Sequence, residues 1–209
     1  MRNRDPLFRL GHENSEFEYW DDFIGEINAK SYFDELLSQT PWQEQPINIY
    51  GKRTALPRLT CWYGDPNAAY KYSGVRNEPR AWTPTLTMIR NTVGEFLNYR
   101  FNSVLLNYYR NGEDSLGWHA DDEPELGPCP LIASVSLGGE RRFAIKRTGD
   151  PKTRVNVLLK PDSLLVMKHD AQINWKHSLP KMRAASPRIN LTFRFVHIPE
   201  NQVALFPDR

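Results

Sequence analysis

The chain has 209 residues but only two cysteines, Cys61 and Cys129. Two thiols cannot build a disulfide framework or a four-thiolate zinc site. Long hydrophobic runs are missing too: uncharged apolar stretches such as Leu164–Met167 are far too short to cross a bilayer. The first residues, MRNRDPLFRLGHENSE, contain no apolar segment of a secretory signal. No repeat, low-complexity tract or linker interrupts the chain. These absences lead us to expect a soluble, intracellular, monomeric single-domain protein with no membrane association. Hydrophobic residues make up 40% of the chain, enough for an ordinary core and well outside the signature of disorder.

Net charge is only +2, yet it is unevenly spread. Glu113 to Glu125 holds six acidic residues and no basic one, whereas Glu140 to Lys160 carries seven Lys/Arg against two acids. Ala171 to Pro199 carries five against none. An acidic segment among basic ones suits a protein that holds a cation and approaches a polyanion; a solvated surface of uneven charge has the same pattern.

Two helices are expected. Asn28 is placed to cap one through AKSYFDELLSQ, stopping near Pro41; Thr83 caps another, with Pro84 in its first turn and Leu86, Ile89, Val93, Phe96 and Leu97 on one face. After Phe101 six runs read as strands: FNSVLLNYY, LIASVSL, RRFAIKR, RVNVLL, SLLVMK and RINLTFRFV. Turns at Asn111-Gly112, Gly138-Gly139, Gly149-Asp150-Pro151 and Pro161-Asp162 separate them. The expected fold is mainly β with flanking helices, a β-sandwich or jelly roll. Within it, 1–48 reads as an N-terminal extension with a helix, 83–98 as a supporting helix and 101–198 as the core. Trp62 and Trp175 read as core residues.

His119-Ala120-Asp121 is the first chemical signal. In an extended segment residues i and i+2 point the same way, so an imidazole and a carboxylate face one point. His177, several strands later, is returned to that point by a jelly roll. Two histidines and a carboxylate form the facial triad of non-haem Fe(II) oxygenases. At this level His169 remains a rival ligand and Asp122 a rival carboxylate. The last strand adds a second signal: Arg188, Asn190, Thr192 and Arg194 alternate with Ile189, Leu191, Phe193 and Phe195. If the apolar face meets the helices, two guanidiniums look into the barrel, where an anion such as a dicarboxylate is expected. Asn107 and Tyr109 form another i, i+2 polar pair.

The motifs PRLTCWYGD, AYKYSG, FNSVLLNYYRNGEDSLGWHADDEPELG, PLIASVSLG, WKHSLP and PRINLTFRF together resemble the AlkB family of Fe(II)- and 2-oxoglutarate-dependent dioxygenases, especially its second and third human homologues. The resemblance runs from about Ile49 to Val196. It implies a double-stranded β-helix, the jelly roll, under an N-terminal nucleotide-recognition lid at 49–82. His119, Asp121 and His177 would be catalytic and bind iron, leaving His169 in a loop. Arg188 would grip the distal carboxylate of 2-oxoglutarate, with Asn107 and Tyr109 as further contacts and Asn190 and Arg194 completing the RxNxxxR pattern.

The implied activity is oxidative demethylation of 1-methyladenine and 3-methylcytosine in DNA, single- or double-stranded, consuming O2 and 2-oxoglutarate and releasing formaldehyde, succinate and CO2. A base in a duplex must be flipped out to reach such a pocket. Tyr70, Tyr72 and Arg58 match lid positions that contact the base, and Tyr50 stands where the second human homologue has an aromatic wedge. Asp122 and Glu123 match acids beside the flipped base. The compartment would be the cytoplasm of a bacterium or the nucleus of a eukaryote. Alternatives are an RNA demethylase of the same family, a nucleic-acid-binding module without catalysis, and a 2-oxoglutarate hydroxylase of protein or small molecule.

Overall fold

Strands and helices in this chain form where the residue pattern lets one side be buried. The computed structural model describes residues 5–11, 15–49, 52–68, 70–72 and 75–197. The first part gives β1 (Phe8–Leu10), β2 (Phe17–Trp20), α1 (Glu26–Gln39), β3 (Gln43–Ile49) and β4 (Lys52–Gly64). A short hairpin, β5 (Tyr70–Tyr72) and β6 (Val75–Asn77), precedes α2 (Pro84–Leu97). Then come β7 (Ser103–Tyr109), β8 (Leu116–His119), β9 (Ile132–Gly138), β10 (Arg141–Arg147), β11 (Asp150–Leu159) and β12 (Ser163–Met167). The one-turn α3 (Ala171–Asn174) leads into β13 (Trp175–Leu179), and β14 (Arg188–Arg194) closes the fold.

Eight strands form one sheet in the order β1-β2-β12-β9-β14-β7-β4-β3, and four form a second in the order β11-β10-β13-β8. Every neighbouring pair is antiparallel. The sheets face each other as a jelly roll, the fold class expected from the strand pattern. Alternation along β14 separates the layers. Ile189, Leu191 and Phe193 pack with Val104 and Leu106 of β7 against Ala29 and Leu36 of α1 and Leu86, Ile89 and Val93 of α2. The opposite face of β14 looks between the sheets, where a second core gathers Phe17, Tyr109, Ile132, Phe143, Ile145, Leu165 and Trp175. Each large apolar side chain buried here contributes roughly 1.5–3 kcal/mol.

The helix signals differ in outcome. α2 starts as its sequence dictates, with the Thr83 hydroxyl accepting from the Leu86 N–H at 3.2 Å. α1 instead begins at Glu26 with Gly25 as N-cap, and Asn28 lies inside its first turn. A residue remote in sequence fixes this start: the buried Asp162 carboxylate accepts from the N–H groups of Ile24 and Gly25, both at 2.7 Å. All six expected strand runs form, but β8 and β13 form as well, between β10 and the edge. The N-terminal part supplies three strands besides its helix, and β2 pairs with β12 in the large sheet. Just before β2, Glu16 accepts from Trp175 Nε1 at 2.7 Å and Asn174 Nδ2 at 2.6 Å, tying this segment to the start of β13. Trp62 and Trp175 are buried, as expected. No helix among the described residues is long and apolar enough to cross a membrane.

Asp162→Asn tests the remote pin. Asn tolerates the left-handed conformation of this position (φ 56) and keeps one acceptor, but loses the charge and the second oxygen. We expect a loss of about 1–3 kcal/mol in urea unfolding; a variant as stable as the parent would remove Asp162 from this role.

Candidate active site

Antiparallel pairing of β13 with β8 sets His177 directly opposite His119, with ring centroids 4.2 Å apart. Asp121 follows two residues later, where the chain leaves β8. His119 Nε2 is 3.9 Å from Asp121 Oδ1, and His177 Nε2 is 3.9 Å from Asp121 Oδ2. One ligand atom from each residue falls within 4.8 Å of the others. His119 Nδ1 lies 3.0 Å from the Gly117 carbonyl oxygen. A carbonyl can only accept, so Nδ1 carries the proton and Nε2 presents its lone pair to the cluster.

Two contacts hold Asp121, which is 2% exposed. Its N–H donates to Gln172 Oε1 at 2.9 Å, and its Oδ1 accepts from the Arg194 guanidinium at 2.8 Å. Burial alone would push this carboxyl up. Arg194 first, then the two imidazoles, outweigh it and hold the group down at about 2. Burial, with His119 and Arg194 adding to it against Asp121, pushes His177 down to about 3. At neutral pH the cluster therefore offers an anionic oxygen and a neutral imidazole, the protonation states a divalent cation needs.

The cavity beside this cluster is walled by β14, β7 and β9. Arg188 pairs in register with Tyr109 and Gly138, and Asn190 with Asn107 and Ser136. Arg188 is 1% exposed; one of its terminal nitrogens donates to Ser136 Oγ at 2.9 Å, and its guanidinium carbon is 5.4 Å from the Tyr109 ring. Its Nε has no hydrogen-bond partner among the described residues. Burial lowers it to about 10, so it remains a cation at neutral pH. Asn190 is engaged within the sheet: its amide donates to Ser134 Oγ at 2.7 Å and the Val135 carbonyl at 3.1 Å, while its oxygen accepts from Thr192. Leu105, Leu116, Phe143, Leu159, Met167 and Leu179 give the same cavity an apolar lining.

The profile of the 2OG-Fe(II) oxygenase superfamily matches residues 16–194. The chain is 38% identical over 182 residues to the DNA oxidative demethylase ALKBH2 of Homo sapiens, covering 82% of this chain and 70% of that protein. The chain belongs to the AlkB family. It is also 40% identical over 185 residues to the alpha-ketoglutarate-dependent dioxygenase alkB homolog 3 of Bos taurus, covering 84% of this chain. It spans 64% of that relative's length. The solved structure of OsALKBH1 superposes with a TM-score of 0.60 at 18% identity, covering 86% of this chain and 97% of the other. At that identity the likeness speaks for the fold alone.

Fe(II) and 2-oxoglutarate, for which the superfamily is named, fit the residues of this AlkB-family chain. The His119, Asp121 and His177 atoms converge within reach of one ion, and the buried Arg188 Nε waits for an acceptor such as a carboxylate. His169 sits exposed in the loop before α3 with φ 53, outside the cluster. Arg194, expected with the cosubstrate, lines the same cavity and is bonded to the Asp121 carboxylate. Arg58, expected on the base side, is buried on β4 and donates its Nε to Asn107 Oδ1 at 2.7 Å in the cavity wall. Tyr70 and Tyr72 fall on β5 of the small hairpin; Tyr50 lies outside the described residues. Asp122 is exposed and Glu123 half-buried at the start of a single 3₁₀ turn, and neither lines the cavity. Sequence reasoning missed Ser134, Ser136 and Gln172. The serines alternate in ASVSL and carried a signal, whereas nothing near Gln172 pointed to it.

The metal-free protein should weaken in acid. Asp121 and His177 both sit below their ordinary values of 3.8 and 6.5, so the unfolded chain takes up their protons first. Their contribution is complete above about pH 6.5 and is lost as pH falls towards 2. Arg194→Met should cost roughly 3 kcal/mol at pH 7 by leaving Asp121 unpaired, and clearly less near pH 3, where Asp121 in the variant is protonated. Urea unfolding in the presence of a chelator measures both; a cost that is the same at the two pH values would refute the pairing.

Proposed function

We propose that this chain is an Fe(II)- and 2-oxoglutarate-dependent dioxygenase that demethylates 1-methyladenine and 3-methylcytosine in DNA, releasing formaldehyde, succinate and CO2. One observation carries the reading. The same cavity has a two-histidine, one-carboxylate donor set at one side and, at the other, a buried guanidinium with an unengaged Nε. The names of the human and bovine relatives support it.

His119, Asp121 and His177 hold the iron, and Arg194 keeps Asp121 ionised and aimed. Arg188, with Tyr109 and Asn107 beside it, binds the distal carboxylate of 2-oxoglutarate by charge-assisted hydrogen bonds. When bound, the iron with its cosubstrate and O2 supplies the oxidation of an N-methyl C–H bond. The protein needs no acid or base for that step; it binds, orients and, through the apolar lining, excludes water.

The substrate base must leave its stack to enter. Residues 49–82 act as the lid over it, with Tyr50, Arg58, Tyr70 and Tyr72 as its base contacts. The basic outer face of the four-stranded sheet supports contact with a polyanion. There Lys146 and Arg154 lie 4.4 and 5.8 Å from the ring of the exposed Trp118, and Arg142 and Lys176 are exposed. The protein acts as a monomer inside the cell, where its nucleic-acid substrate is.

The test is incubation with methylated DNA and RNA oligonucleotides, Fe(II) and 2-oxoglutarate, with mass analysis of the products. Repair of DNA is expected; repair of RNA alone would favour an RNA demethylase. His119→Ala and Asp121→Ala should abolish succinate and formaldehyde production, since a three-ligand site has none to spare. Arg188→Met should raise the apparent KM for 2-oxoglutarate on the order of a hundredfold; an unchanged KM would reassign Arg188 to the fold.

Charge offers a way to choose the lesion. Both proposed lesions are cations at neutral pH, and undamaged bases are not. Asp122, exposed directly after the buried Asp121, and Glu123 attract such a cation. Asp122→Asn and Glu123→Gln should each lower kcat/KM for 3-methylcytosine more than for neutral 3-methylthymine in the same oligonucleotide. Equal losses on the two lesions would show that these acids do not read charge.

A further inference from the structure

Tyr109 has a second guanidinium beside it. Arg141, at the start of β10, is 0% exposed, and its guanidinium carbon lies 5.4 Å from the Tyr109 ring, as does that of Arg188. Arg141 is absent from the cavity lining, so it reaches a bound molecule only through Tyr109. Its hydrogen bonds go to backbone carbonyls: Asn111 at 3.2 Å, Asp114 at 2.7 Å and Pro180 at 2.9 Å. Its Nε has no hydrogen-bond partner among the described residues. The first two carbonyls lie in the segment leading into β8 with His119, and Pro180 directly follows β13 with His177. One side chain thus ties down both histidine-bearing strands.

The charge is harder to explain than the hydrogen bonds. The nearby Asp114 carboxylate is already bound twice at 2.8 Å by Arg110. Arg110 and Arg141 therefore share that carboxylate. A fully buried cation resting on neutral carbonyls is costly, and a neutral residue could fasten the loops at less expense. Arg141 and Arg188 also disfavour each other's charge. A dianion entering the cavity beside Tyr109 relieves both problems at once.

We propose that Arg141 is a positioning residue for the cosubstrate: it backs Tyr109 and supplies a second positive charge behind Arg188, so that the cavity selects a 2-oxo acid with a distal carboxylate. This rests on the reading of the cavity as a 2-oxoglutarate site. At an effective dielectric near 20, one unit charge roughly 12 Å away, behind the Tyr109 ring, is worth on the order of tenfold in affinity.

The test is calorimetric binding of 2-oxoglutarate and of 2-oxopentanoate, which lacks the distal carboxylate, to the full Mn(II)-loaded chain without oxygen. With Mn(II) saturating, Arg141→Met should weaken 2-oxoglutarate about tenfold more than it weakens 2-oxopentanoate, whatever Mn(II) affinity the loosened strands lose. Arg141→Lys, which keeps the charge, should restore 2-oxoglutarate binding to within about threefold of the parent. Unchanged 2-oxoglutarate affinity in Arg141→Met overturns the proposal. So does equal weakening of both oxo acids, or a lysine variant as weak as the methionine one. If Arg141→Met does not fold, Arg141→Gln, which keeps a donor for the carbonyls, replaces it; failure of both to fold overturns the proposal in favour of a purely structural clamp. A parent protein that binds no 2-oxoglutarate would overturn the reading of the cavity itself.

Discussion

The negative charge of Asp121, buried between two sheets, is the constraint on which the rest of the structure depends. An ionised carboxylate in that position is tolerable only with a cation in contact, and Arg194 provides it at 2.8 Å. Arg194 ends β14, a central strand of the large sheet, whereas Asp121 follows the edge strand of the small one. The ion pair is therefore also a tie between sheets. It brings the segment carrying His119 and Asp121 against the wall that carries Arg188, so one contact ties the two ends of the cavity together.

β14 gives this arrangement its economy. Its apolar residues pack under α1 and α2, while Arg188, Asn190, Thr192 and Arg194 all point between the sheets. Four polar side chains on one buried face need partners, and each has found one. Arg188 bonds to Ser136, Asn190 to Ser134 and Val135, Thr192 to Asn190, and Arg194 to Asp121. A slip of one residue in the pairing would exchange this face for the apolar one, so register and chemistry are specified by the same hydrogen bonds.

Supports drawn from far along the chain surround the site. Gln172, on the turn of helix just before β13, holds the Asp121 backbone; Glu16, before β2, holds Trp175 at the start of β13; and Arg141 fastens the segments beside both histidine strands. Such outer contacts hold the candidate metal ligands converged.

Local pattern was enough for much of this. The period-two alternation of β14 announced a buried polar face, H-x-D announced two donors on one side, and Thr83-Pro84 announced the start of α2, because each depends on residues a few positions apart. The resemblance of whole motifs to the AlkB family then singled out His177 over His169, which spacing alone had left open. What local pattern could not supply was decided by contacts between distant segments. Asp162 sets the start of α1 from the far side of the chain, against the local signal of Asn28. β8 and β13 are too short and polar to read as strands by themselves and exist because each pairs with a neighbour. Arg194 and Arg188 stand on the same face of the same strand and look alike in sequence. Only the tertiary structure sets one against the Asp121 carboxylate and the other against Ser136 and Tyr109, because a buried charge takes its role from the groups the fold brings into contact with it.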